Sequence, residues 1–245
     1  MTELNKSILI ESREIQILKS LLLEIYSPIS NDQIEVIMRE LLQILEKNTN
    51  IRFSSAKIEK WNASSSVLIT YPDAVFKKEN STLKTLLDLI ENDLKNFVTT
   101  IHILPFLKST SDGGFAVSSH DELEEKFGDW KNIREFSKKY TIMADLVLNH
   151  VSSSHQWVKD FIAQKSPNCK YILSPKIDSG WDDVIRPRSS SLFTNLKTTI
   201  GNKDVWSTFG PDQIDVDWRN PSVLIEFIKI IILYFNNGIS WIRLD

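Results

Sequence analysis

Apolar residues recur at helical spacing through residues 15–45, and gather into short continuous runs after that. Ile15, Leu18, Leu21, Leu22 and Ile25 make one apolar stripe, the three-and-four spacing of an amphipathic helix. Pro28 breaks it. Ser30 and Gln33 form a capping-box pair, flanked by Ile29 and Ile34 as a hydrophobic staple. Ile34, Ile37, Met38, Leu41, Leu42 and Leu45 continue the helical period until Asn48-Thr-Asn50 ends it. Residues 1–52 are therefore expected to form a helical hairpin. It carries no chemistry and reads as a packing or oligomerisation extension.

From residue 53 the pattern becomes strand, then helix. Ser66 to Tyr71 is a short β-rich run stopped by Pro72-Asp73. Leu83, Leu86, Leu87, Ile90 and Leu94 mark a helix capped by Ser81. Thr99 to Phe106 is a second strand, followed by a polar loop, Ser109 to Phe115. Asp129 caps a helix carrying Trp130, Ile133 and Phe136, and Thr141 to Leu148 is a third strand ending in Asn149-His150. Continuous apolar runs of this kind suit parallel strands buried on both faces. The alternation then lapses over residues 151–219, where only a helix around Trp157, Phe161 and Ile162 is well patterned. So long a connection is expected to be an inserted subdomain rather than a loop. Asn220-Pro221 starts the next helix. Phe227, Ile228, Ile231, Ile232 and Phe235 are its expected buried face, and Gly238 is its stop. A fourth strand runs to Asp245. Strand–helix steps in this order predict an α/β fold, the N-terminal half of a (β/α)8 barrel that needs eight strands to close. The expected partition is 1–52 as extension, 53–150 with 220–245 as barrel, and 151–219 as insert.

Composition narrows the class. The 245 residues carry a net charge of −3 and one cysteine, Cys169. No basic surplus points to nucleic acid or an anionic membrane. The most apolar run, Leu224 to Phe235, is too short and too charged to span a bilayer. One cysteine fits a reducing, cytoplasmic setting. No Cys/His cluster has zinc spacing, and residues 151–219 hold no dense carboxylate loop for calcium, so no metal is expected.

The chemistry gathers at the carboxyl ends of the expected strands. Asp112 with Gly113, Gly114 and Phe115 follows strand two. His150 ends strand three, and Arg243 and Asp245 end strand four. A spacing of two on a strand points Arg243 and Asp245 to one face. In a barrel of parallel strands that end is where active sites lie. Carboxylates, a histidine and an arginine can grip a hydroxyl-rich ligand by charge-assisted hydrogen bonds. Each has a plainer reading as well: a strand-end ion pair, an Asp-Gly turn, a helix-start histidine. Arg186 and Arg188 form a fork suited to an oxyanion, or a brace of the insert against the barrel.

Asp145-Leu-Val-Leu-Asn-His150 resembles the first conserved region of glycoside hydrolase family 13, the α-amylase superfamily. Gly238-Ile-Ser-Trp-Ile-Arg-Leu-Asp245 resembles its second. Leu68 to Tyr71, His102 to Phe106, Asp112 to Phe115, Gly128-Asp-Trp130, Arg186-Pro-Arg188 and Phe209 to Asp215 are most similar to its sucrose phosphorylase branch. The resemblance covers residues from about 66 to 245, and implies that 151–219 is the family's B domain, placed after strand three. It implies Asp245 as nucleophile and Arg243 as its partner. It further implies Asp112 and His150 on the glucosyl hydroxyls, Phe115 as an apolar wall, and Gln213 and Arg188 near the acceptor. The implied reaction is retaining α-glucosyl transfer from sucrose or a related α-glucoside to inorganic phosphate, with no cofactor. Hydrolysis or transglucosylation, and a non-catalytic sugar-binding remnant, are the alternatives. The family's acid/base glutamate follows strand five and a further aspartate follows strand seven. Neither is present, so the chain alone is expected to be inactive, a split or truncated member. Its open strand edges are expected to take a missing C-terminal half or a second copy.

Overall fold

The computed structural model describes residues 12–48, 62–176, 181–186 and 188–245. The ends of the expected extension, residues 1–11 and 49–52, lie outside them, as does Pro187. Helices α1 Ser12–Ile25 and α2 Asn31–Lys47 open the described chain. Ser30 caps α2 in a reciprocal box with Gln33. This is the arrangement the sequence calls for, because an N-cap oxygen satisfies an amide the helix leaves unpaired.

The next elements alternate: β1 Val67–Thr70, α3 Thr82–Leu89, β2 Thr100–Ile103, α4 Trp130–Ser137 and β3 Thr141–Leu146. After the insert come α6 Pro221–Asn236 and β8 Ile239–Leu244. The sheet order is β1-β2-β3-β8, parallel throughout. Ser81, Asp129 and Asn220 each accept a backbone amide at the start of their helices, so three starts read from sequence are present. β2 is shorter than expected. It leaves the ladder before Pro105, which has no N–H to donate. Among the described residues the sheet is open, with β1 and β8 each paired on one side.

Between β3 and α6 lie β4 His150–Ser152, α5 Gln156–Ile162, β5 Phe193–Thr198, β6 Gly201–Trp206 and β7 Gln213–Asp215. β5 and β6 form an antiparallel hairpin, and β7 returns antiparallel to β4. The segment has no core of its own. Trp157, Val158, Phe161, Tyr171, Val205 and Ile214 join the cluster that holds Ile101, Ile103, Ile142 and Ala144 of the sheet.

Helix α6 departs from its expected face. Ile228, Ile231 and Phe235 are only partly buried, while Val223, Ile225, Phe227, Ile230, Ile232 and Tyr234 are buried. The reason is that α6 is covered on two sides. Val223, Phe227, Ile230 and Tyr234 face the sheet's core. Ile225, with Leu224 and Ile228 beside it, joins Leu22, Ile34, Met38 and Leu41 of the first two helices. A helix apolar nearly all round is one buried between layers, and a one-sided reading of its pattern misplaces part of the face.

Candidate active site

Strand alternation sets the first part of the site. Arg243 and Asp245 share a face of β8, and Arg243 lies opposite Asp145 in the β3–β8 register. The guanidinium is divided between two carboxylates. Its Nη1 donates to Asp145 Oδ1 and its Nη2 to Asp245 Oδ1, each at 2.5 Å. The Asp145 side chain is fully buried, and its second oxygen meets His102 Nε2 at 2.9 Å. Arg243 and Asp245 remain 43% and 31% exposed, open to a ligand. The hydrogen bond that Arg243 donates to Asp145, reinforced by both carboxylate charges against slight burial, holds Arg243 above its usual pKa. Asp245 is also fixed through its backbone: its amide donates to Leu146 and its carbonyl accepts from Leu148.

The second part comes from the loop after β2 and from the insert. Asp112 sits at φ 57 and Gly113 at φ 62, left-handed backbone that a non-glycine residue adopts at a cost. Gly114 is held so close that an added Cβ would lie 2.7 Å from the Pro105 carbonyl oxygen. Ser111 donates to Asp212, and Thr110 and Ser152 share a hydrogen bond of 2.7 Å, tying this loop to the insert. Gln213 then bridges it to His150. Its Nε2 donates to Asp112 Oδ2 at 2.9 Å and faces His150 Nε2 at 3.1 Å. A carboxylate only accepts, so the amide orientation is fixed and His150 Nε2 must be an acceptor. The ring proton is therefore on Nδ1, which is buried and faces the Phe115 backbone. Burial lowers the His150 pKa, against the opposing pull of the Phe115 backbone and of Asp112, Asp245 and Asp212. The ring is neutral at neutral pH.

The two parts meet around His150, since the charges of Asp112 and Asp245 both reach it. Phe115 is half-buried against the core beneath. Arg188 stands apart. It is exposed, and its guanidinium carbon lies 5.9 Å from the centre of the Phe209 ring, which in turn lies 4.9 Å from the His150 ring. Arg186 is spent on the insert, donating to the Thr208 carbonyl and to Ser190. Both partners lie within 151–219, so Arg186 ties that segment to itself rather than to the sheet.

Reading the sequence by strand ends passed over His102 and the side chain of Asp145. Both are polar residues inside otherwise apolar runs, and a buried polar group needs a partner. That signal was there; the partner's identity was not. Among the described residues no group of three or more His, Cys, Asp or Glu is arranged to hold a metal ion. No described helix is long and apolar enough to cross a membrane.

The family described as "Alpha amylase, catalytic domain" matches residues 87–245. A glucosylglycerate phosphorylase of Allomeiothermus silvanus is 38% identical over 76% of this chain and 33% of its own length. A sucrose phosphorylase of Streptococcus mutans is 31% identical over 73% of this chain and 39% of its own. The crystal structure of sucrose 6F-phosphate phosphorylase from Thermoanaerobacter thermosaccharolyticum superposes with a TM-score of 0.69 at 28% identity, covering 76% of this chain and 40% of that one. The chain thus spans between a third and two-fifths of these relatives.

Proposed function

The chain belongs to the α-amylase family, glycoside hydrolase family 13, and from that premise we propose that its site is the nucleophile-bearing half of a retaining α-glucosyl phosphorylase. The observation that carries this reading is the divided guanidinium of Arg243. It orients the partly exposed Asp245 while buried Asp145 stops it from moving. An arginine so placed aims the carboxylate that a nucleophilic attack requires. Asp245 attacks the anomeric carbon and forms a glucosyl ester as the aglycone oxygen leaves with a proton. Phosphate oxygen then attacks the same carbon, and Asp245 is released with glucose 1-phosphate formed. Asp112 and His150 bind glucosyl hydroxyls, Phe115 walls that subsite, and Gln213 holds Asp112 and His150 in register. Arg188 receives the oxyanion, either phosphate or a carboxylated or phosphorylated aglycone.

The leaving oxygen needs an acid. Asp112, Asp212 and Asp245, the carboxylates whose charge reaches His150, are engaged by Gln213, Ser111 and Arg243 respectively. We assign the acid to a group beyond the described residues. Retaining chemistry would place it about 5–5.5 Å from the nucleophile. The higher identity to a glucosylglycerate phosphorylase than to a sucrose phosphorylase favours glucosylglycerate over sucrose as donor.

A chimera tests this. Residues 62–245 replace the matching third of the Allomeiothermus silvanus enzyme, and phosphate-dependent release of glucose 1-phosphate is measured from both donors. The chimera is expected to turn over glucosylglycerate in preference to sucrose, and Asp245→Asn to lower turnover by about a thousand-fold or more. The 245-residue chain alone is expected to show none. Turnover by the chain alone, or an active Asp245→Asn chimera, would refute the assignment.

A further inference from the structure

The loop 208–215 is closed at its base by a buried carboxylate that the mechanism above does not use. Asp215 is 8% exposed. Its Oδ1 accepts the Thr208 amide at 3.3 Å and its Oδ2 accepts the Thr208 hydroxyl at 2.5 Å. That hydroxyl accepts from the Trp206 indole at 2.7 Å, and the Thr208 carbonyl accepts from Arg186 at 2.9 Å. A hydroxyl has one proton to give. The chain of donors therefore has a single direction, Trp206 to Thr208 to Asp215, and every polar group of Thr208 is committed. The next residue is Phe209. Beyond it, Gln213 N–H donates to the Gly210 carbonyl at 3.0 Å. This closes a turn with proline in its second position and returns Gln213 to His150.

Of the loop's two site-facing residues, Phe209 is thus held from the base through its neighbour Thr208, while Gln213 is held by its own turn to Gly210 and by Asp112 and His150. Burying a carboxylate is unfavourable unless its oxygens are paired. Burial does push the Asp215 pKa up, against the two Thr208 hydrogen bonds. An apolar residue would pair β7 with β4 without that cost, so the carboxylate calls for a purpose other than strand pairing.

We propose that Asp215 is a positioning residue for the acceptor side of the site: through Thr208 it fixes Phe209 between His150 and Arg188, and so sets the span between the glucosyl and oxyanion ends of the substrate. The meaning of those two ends rests on the function proposed above; the latch itself does not.

The test uses the full 245-residue chain, NMR, and the variants Thr208→Val and Thr208→Ser. In Thr208→Val the Trp206 indole N–H signal is expected to shift and exchange faster. The ring-current shifts of Phe209 on Arg188 and His150 should collapse. Inorganic phosphate, titrated against the Arg188 side chain, should bind about five-fold more weakly, the worth of roughly one hydrogen bond. Glucose, followed on Gln213, should bind as before, and Thr208→Ser should restore all three signals. Asp215→Asn, of the same shape, carries the same comparison should Thr208→Val fail to fold. The proposal is overturned if the indole signal does not move. It is overturned equally if the indole moves while the Phe209 shifts and phosphate affinity stay as they were. A wild-type chain that binds neither phosphate nor glucose refutes the functional reading instead, and the ring-current comparison then decides the latch.

Discussion

His155 begins α5 by accepting the Trp157 amide on Nδ1, so its proton lies on Nε2 and is donated to His120 Nδ1 at 3.1 Å. His120 Nε2–H is then a buried donor without a partner. This geometry needs both rings neutral. Burial depresses their pKa values to about 3 for His120 and about 4 for His155; Asp121 and Asp160 act in the opposite sense on His155, and Lys159 adds to the depression. The sign follows from the folded values lying below the unfolded 6.5. Between pH 6.5 and 4 the unfolded chain takes up protons that the folded chain refuses, so the stabilisation present above 6.5 is lost as pH falls. Unfolding free energies from urea titrations are expected to drop between pH 7 and 5 by on the order of 2 kcal/mol for each imidazole. His120→Phe should remove about half of the pH slope. A flat profile, or an unchanged slope in the variant, would contradict the burial argument. The same logic of neutral rings and fixed amides sets the tautomer of His150 at the candidate site, where Gln213 rather than a helix amide imposes it.

At the scale of elements, the turn from α6 into β8 decides whether Arg243 and Asp245 reach the site. Asn237 caps α6 and accepts from Arg134 of α4 at 2.5 Å. Gly238 follows at φ 87, where an added Cβ would lie 2.5 Å from the Cβ of Ser137. The glycine is thus required twice, for its left-handed backbone and for the approach of α4. Gly238→Ala is expected to cost about 1–3 kcal/mol in chemical denaturation, with β8 signals shifted most in amide spectra. A loss within about 0.5 kcal/mol, the range of an ordinary surface change, would show that the turn relaxes freely. The sequence marks this glycine as a helix stop. The second requirement, the neighbouring helix, comes from a residue far off along the chain.

At the scale of the molecule, the parallel sheet leaves the outer edges of β1 and β8 unpaired among the described residues. β1 exposes Val67 and Ile69 at 40% and 62%. An open apolar edge is a template for further strands. The chain at tens of micromolar is expected to self-associate in sedimentation velocity, and Ile69→Lys to shift it toward monomer. A wild-type chain that sediments as a stable monomer would show that these edges are protected. The two-sided burial of α6 belongs to this scale too. It couples the first two helices to the sheet, so that α1 and α2 cover apolar surface on α6.

What the sequence determined by itself was local. Helix caps at Ser30, Ser81, Asp129 and Asn220, the alternation of strand and helix, and the placing of Arg243 and Asp245 at the end of a strand all rest on residues within a few positions of one another; His150, expected to end the third strand, instead opens β4, because β3 leaves the ladder at Leu146. Such short-range preferences act before any distant contact forms. Tertiary structure alone decided the partners. Arg243 meets Asp145 across 98 positions and Gln213 meets Asp112 across 101. The first depends on strand register, the second on how the insert folds back over the sheet. Spacing along the chain carries neither. That is why the strand-end residues could be listed in advance, while the buried carboxylate that divides Arg243 and the loop that aims Phe209 emerged only when the strands were placed side by side.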